Sequence, residues 1–256
     1  MCTGVYCCRT PGGSRALLNV DQLRFGQGEW QLAADFKIER HSLTVVIGAS
    51  GAGKSTLLAL IAGFEQATAG RIVLDGIDVT QQPPSLRSIT TLFQDHNLFA
   101  HLSLKDNIAL ARHPGLKLTI DDWHQVDQAI ARVGLENIAQ RRPGEVSGGQ
   151  AQRAALARCL CQERALLLLD EPFTGLDPAR RAEMFELIDG LRQERGLTIL
   201  LVSHNPQETR YSEASALFLH QGQIKARGLL SALLTSPPCP ELNNYLDQVP
   251  AMRSPN

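Results

Sequence analysis

Gly48-Ala49-Ser50-Gly51-Ala52-Gly53-Lys54-Ser55 fits the spacing GxxxxGK[ST] with no mismatch. Glycine at both ends of such a run lets the backbone fold around a chain of phosphates and turn successive N–H groups inward, where a bulky side chain would block the approach. Lys54 can reach β- and γ-phosphates as a point charge, and the Ser55 hydroxyl can hold Mg²⁺, a hard cation that prefers oxygen. A helix that opens at Ser55 and continues through Thr56 adds its positive N-terminal end. These residue types in this order point to a nucleotide phosphate chain as the ligand.

Other groups could do chemistry beside it. Asp170-Glu171 closes the apolar run Ala165 to Leu169, and carboxylates at the C-terminal end of a buried strand stand where open α/β sheets bind ligands. One of them can act on Mg²⁺ and the other on water. Thr198 to Val202 delivers Ser203 and His204 to the same edge, although a single histidine at a strand end is also a common structural residue. Ser147-Gly148-Gly149-Gln150 precedes the helical stretch Ala151 to Cys161 and repeats the anion-binding logic of the first loop. Taken alone, that second loop is a helix cap. Phe25 and Trp30 could each stack on a purine ring, while aromatic residues in strands serve equally as packing.

Positioning these groups requires strands that end together. Leu17 to Phe25 and Gln31 to Ile38 read as two strands split by Gly26 and Gly28. Leu43 to Ile47 is a β-rich run ending directly at Gly48, and Thr56 to Ala62 continues as helix to a stop at Gly63, the strand, loop and helix order that the phosphate-loop reading needs. Arg71 to Leu74 and Ile89 to Phe93 read as strands, the second running into Gln94. From about 97 to 143 helical patterns take over, with Trp123, Val126, Ile130 and Val133 on nearly one face. Pro178 is placed to start a helix to about Arg195. Ala216 to His220 and Gln223 to Ala226 form a last strand pair about Gln221-Gly222, and Leu229 to Leu234 a short helix. The expected organisation is a disordered extension over 1–15, a body over 16–228 with a helical subdomain at about 97–160, and a short helix with a loosely ordered, proline-rich tail over 229–256.

The chain of 256 residues balances 25 basic against 26 acidic side chains, which argues against a nucleic-acid binder that relies on bulk charge. Its apolar runs fall far short of the roughly 18 residues that cross a bilayer, so any membrane association is expected through a partner. The six cysteines, at 2, 7, 8, 159, 161 and 239, match neither a disulfide framework nor the paired spacing of structural zinc, and a reducing cytosol fits best.

In order along the chain come GASGAGKST, Gln94 in LFQD, VSGGQAQR at 146 to 153, LLLLDEP at 166 to 172, TGLD at 174 to 177 and His204 in LVSH. Together they closely resemble an ATP-binding cassette, the nucleotide-hydrolysing subunit of ABC transporters, over roughly residues 17 to 228. The resemblance implies an α/β P-loop NTPase of the ABC ATPase type, with an antiparallel β subdomain and a helical subdomain. It implies that Asp170 holds Mg²⁺ through water, Glu171 polarises the attacking water, and His204 contacts the γ-phosphate. Gln94 would sense metal and water and connect them to a transmembrane permease subunit. Ser147, Gly148 and Gly149, with Gln150 behind them, would cap the γ-phosphate bound to a second copy of the chain, and Asp177 would communicate across that ATP-dependent dimer. Two copies, each with one phosphate loop and one cap, complete each other's sites.

Three positions depart from the family pattern: Val146 stands for the usual leucine, Thr174-Gly175 for serine-alanine, and Phe25 for the tyrosine that stacks on adenine, a place it fits better than Trp30. LFQDHNLFAHLSLKDNIAL and HPGLKL, with Pro83-Pro84 ahead of them, look like bacterial importer cassettes and most like the ATPases of thiamine importers. The resemblance thus implies a peripheral subunit on the cytoplasmic face of the inner membrane, linked indirectly to a periplasmic substrate-binding protein, with no nucleic acid as partner. The alternatives are importer ATPases for other small solutes, soluble ABC ATPases, which usually carry two cassettes or long insertions, and small-molecule kinases, which need neither VSGGQ nor His204.

Overall fold

The computed structural model describes residues 16–95, 97–204 and 213–248. The extension 1–15, with Cys2, Cys7 and Cys8, lies outside the described residues. In chain order the first half carries β1 (Ala16–Gln27), β2 (Trp30–Glu39), β3 (Leu43–Ile47), α1 (Lys54–Ala62), β4 (Ala69–Leu74), β5 (Ile77–Asp78), β6 (Ile89–Leu92), α2 (Leu104–Ala109) and α3 (Ile120–Arg132). Then follow α4 (Gly148–Leu160), β7 (Leu166–Asp170), α5 (Pro178–Arg195), β8 (Thr198–Ser203), β9 (Ser215–His220), β10 (Gln223–Leu229), α6 (Leu230–Thr235) and α7 (Pro240–Gln248).

These strands join in one sheet, ordered β5-β4-β1-β2-β10-β9-β3-β8-β7-β6. β2 buries Leu32, Ala34, Phe36 and Ile38 on one face in a strict alternation, the pattern of an antiparallel strand with one wet side. β1 pairs antiparallel with β2 and β4, and this layer meets the rest through β10, which touches β2 at Gln223 and Ala33. By contrast β3, β8, β7 and β6 run parallel, and β3, β8 and β7 are buried along nearly their whole length, so they are predominantly apolar rather than alternating. Successive residues serve two cores: Val45 and Ile47 face the helices, while Val46 packs with α1 and the antiparallel layer.

Because these strands are parallel, their C-terminal ends share one edge. Ile47 pairs with Ser203, Asp170 with Val202 and Leu92 with Leu169. The residues that follow, Gly48, Glu171, His204 and Gln94, are therefore delivered together. No strand interrupts the described residues between β6 and β7; α2, α3 and α4 occupy that stretch. α3 starts on a capping box in which Thr119 and Asp122 satisfy each other's backbone N–H groups.

At the C-terminus the proline-rich tail differs from its expectation. Pro240 opens α7, which buries Leu242 and Tyr245. A proline at the first helical position lacks only an N–H that has no partner there anyway, so it begins a helix instead of breaking one.

Candidate functional site: a phosphate loop and a divided cap

Gly48 to Gly53 forms the loop between β3 and α1. A Cβ at Gly48 would stand 2.2 Å from the Leu219 carbonyl oxygen, so only glycine lets the loop leave β3 this close to β9. Gly53 holds the left-handed conformation at the N-cap of α1, and no side chain caps the helix there. The first N–H groups of α1 are left facing an anion site. Lys54 is only 6% exposed and donates to the carbonyls of Gly48 at 2.8 Å and Ala49 at 3.0 Å. Its ammonium crosses the mouth of the loop. Burial lowers the Lys54 pKa, and the carboxylates of Glu171 and Asp170 pull it back up.

The Ser55 hydroxyl donates to Asp170 Oδ1 at 3.3 Å. Burial raises the Asp170 pKa, the Ser55 hydrogen bond opposes this, Glu171 adds to the rise and Lys54 counters it. One hydroxyl and one carboxylate, side by side at the helix start, are the hard oxygen donors that suit Mg²⁺, which takes its other ligands from phosphate and water. The donor set therefore fits a phosphate-bound Mg²⁺.

Glu171 takes a left-handed backbone, φ 49°, which turns the chain sharply off β7. Its N–H bonds the Val202 carbonyl at 3.1 Å, and its Oε2 stands 3.1 Å from His204 Nδ1 and accepts from Thr174 Oγ1 at 3.2 Å. Ser50, Gly51, Gly53, Lys54, Ser55, Thr56, Trp30, Gln27 and Glu171 line one opening over the loop. Ala49 is exposed beside it and Ala52 is buried beneath it. Gln94 lies exposed two residues past β6 on the same edge.

The second loop caps α4. Ser147 Oγ accepts from the Gln150 N–H at 3.3 Å, and Gln150 Oε1 accepts from the Ser147 N–H at 2.9 Å. This capping box leaves the amides of Gly148 and Gly149 facing outward. Ser147, Gly149 and Gln150 line a second opening with Leu176 and Arg180, and it shares no residue with the opening over the phosphate loop. Asp177 caps α5 beside it, accepting from the Arg180 N–H at 3.0 Å, and that bond holds its carboxyl below the usual range.

Of the two aromatic residues, Trp30 lies nearer the phosphate loop. Phe25 pairs with Leu32 and Trp30 with Gln27, so all four share one face of the hairpin. A Cβ on Gly53 would stand 2.6 Å from the Trp30 ring, which covers the loop, whereas Phe25 is set back toward the layer's core and does not line the opening. The register of the hairpin puts the residue next to the turn closest to the loop.

The model of the ABC transporter family matches residues 33–174, more than half of the chain. A relative from Vibrio vulnificus, named the thiamine import ATP-binding protein ThiQ, is 44% identical over 229 residues, covering 90% of this chain and 98% of that protein. The chain belongs to the ABC transporter family. A second ThiQ, from Mesorhizobium japonicum, is 44% identical over 216 residues, 84% of this chain and 85% of that protein. A solved nucleotide-free ATP-binding cassette from an ABC transporter superposes with a TM-score of 0.80 at 22% identity, over 89% of this chain and 98% of that one, and so shares the fold. The cassette is an ATP-binding α/β P-loop protein.

Within the cassette, the phosphate loop, Asp170, Glu171 and His204 are brought together, and the Ser147 loop is held apart. Sequence reasoning passed over two buried side chains at the site. Gln152, on α4, donates to the Pro172 carbonyl beside Glu171. Tyr245, on α7, donates to the His204 carbonyl at 2.7 Å. The spacing Leu242, Tyr245, Leu246 behind Pro240 is a helical signal that could have revealed the second.

Proposed function

We propose that this cassette is the ATP-hydrolysing subunit of a bacterial importer, working as an ATP-closed pair of identical copies on a transmembrane partner at the cytoplasmic face of the inner membrane, with thiamine or its phosphates as the carried solute. The observation that carries hydrolysis is the Glu171–His204 pair beside Lys54, Ser55 and Asp170. Lys54 moves from the loop carbonyls onto the β- and γ-phosphates, and the amides of Ala49 to Gly53 cradle them. Mg²⁺, when bound at Ser55 and Asp170 with Gln94 nearby, neutralises charge on the transferred phosphoryl group. Glu171 accepts a proton from the attacking water, and His204 donates to the γ-phosphate, where charge develops.

The separate position of Ser147, Gly148 and Gly149 supports a cap that serves the other copy, with Asp177 at the same interface. A pair related by two-fold symmetry makes two complete sites out of two half-sites. Among the described residues no helix is long and apolar enough to cross a membrane, so import needs a membrane-spanning partner. A groove of about 460 Å³ carries the rings of Phe64, Phe93 and Phe99 beside Gln94 and supports a seat for that partner. The names and extents of the relatives support thiamine, and a binding protein outside the membrane follows from that reading.

Deletion of the gene is expected to abolish uptake of labelled thiamine at nanomolar concentration, with uptake restored by the wild-type chain and not by Lys54→Ala. Unchanged uptake in the deletion strain would sink the substrate assignment while leaving the ATPase reading intact.

A further inference from the structure

α7 sends one polar atom into the edge where the site is built. Leu242 and Tyr245 stand three residues apart on one buried face, and the Tyr245 ring packs on Phe218 of β9 with centroids 5.5 Å apart. The Tyr245 hydroxyl donates to the His204 backbone carbonyl at 2.7 Å. One phenol oxygen therefore ties α7 to the residue whose imidazole stands 3.1 Å from Glu171.

We propose that Tyr245 is a positioning residue for ATP hydrolysis, its hydroxyl fixing the His204 backbone against α7 and thereby aiming the imidazole at Glu171 and the terminal phosphate. The proposal rests on the reading of Glu171 and His204 as the hydrolytic pair. The orientation of the His204 peptide sets the direction of its Cα–Cβ bond, so a small rotation of that plane moves the ring at its far end by much more. A misplacement of about 1 Å at a reacting group can cost up to about a hundredfold in rate. The phenol suits the task because burial keeps it protonated, the form that can donate to the His204 carbonyl, by raising its pKa. Its ring is anchored by core packing rather than by the residue it holds. Docking of α7 and alignment of the catalytic edge thus become one event.

The test is steady-state MgATP hydrolysis by the full chain, read as phosphate release, for wild type, Tyr245→Phe, His204→Ala and the double variant. Tyr245→Phe keeps the ring and removes one oxygen. It is expected to lower kcat about tenfold, to change KM for ATP by less than about twofold, and to shift Tm by less than about 2 °C. In the His204→Ala background the same change is expected to cost less than about twofold, because the two residues act as a unit. Wild-type kcat in Tyr245→Phe, or an undiminished tenfold loss without His204, would overturn the linkage. A fall in kcat accompanied by a large loss of Tm would mark a packing role and overturn it too. A wild-type chain that turns over no MgATP would overturn the hydrolytic reading itself, and the proposal with it.

Discussion

Trp30 is the aromatic residue closest to the phosphate loop, its ring packed over Gly53 and lining the opening. A purine bound to the loop would lie within reach of that ring, and stacking of a base on an aromatic side chain contributes about 1–3 kcal/mol. Trp30→Ala is therefore expected to weaken ATP binding about tenfold, and Phe25→Ala to change it less than about twofold, both by calorimetric titration. The opposite order would return the adenine contact to Phe25. The same lesson holds at Glu171: its identity is visible in the sequence, but the left-handed backbone that turns its carboxylate onto His204 and Thr174 is not.

Among the elements, α1 is held at both ends. Its N-terminus faces the phosphate site, and its C-terminus is gripped by Arg87, which is 1% exposed and donates to the carbonyls of Leu60, Ile61, Thr80 and Gln82. A guanidinium suits carbonyls at a helix C-terminus, where the partial charge is negative. Burial lowers the Arg87 pKa, the cost of holding a cation there. Arg87→Met fills much of the space but leaves four buried carbonyls without their donor. It is expected to destabilise the fold by about 3 kcal/mol, read as a lower urea midpoint. A midpoint within error of wild type would show that α1 is held by its apolar face alone. Nothing in the local sequence around Arg87 announces this role, since two of its partners, Leu60 and Ile61, lie on a helix more than twenty residues earlier in the chain.

For the whole molecule, the decisive feature is that the Ser147 loop and the phosphate loop of one chain line separate openings. Glu171→Gln removes one negative charge, and with it the proton acceptor of the proposed mechanism, while leaving Lys54, Ser55 and the Ser147 loop in place. It is expected to abolish hydrolysis and to leave an ATP-bound dimer, seen as a doubling of mass by light scattering at saturating MgATP. A variant that stays monomeric under those conditions would contradict the sandwich of two copies. In the proposed mechanism the openings of two copies complete each other, one supplying cradle and base and the other the cap.

Much of this protein was legible before its fold. The five-residue apolar run Ala165 to Leu169 reads as a strand covered on both faces, and the glycines and lysine at 48 to 55 allow few other uses. Local rules decide such features, since backbone sterics and periodicity act within a few residues. The tail reads as loosely ordered if Pro240 counts as a breaker, but its position relative to Leu242 and Tyr245 makes it a helix start. What only the tertiary structure decided are the relations between distant segments: Trp30 over Gly53, Arg87 beneath α1, Tyr245 on the His204 carbonyl, and the separation of the Ser147 loop from the phosphate loop. Each depends on strand register and sheet order, which bring together residues up to about two hundred positions apart and which no local pattern encodes.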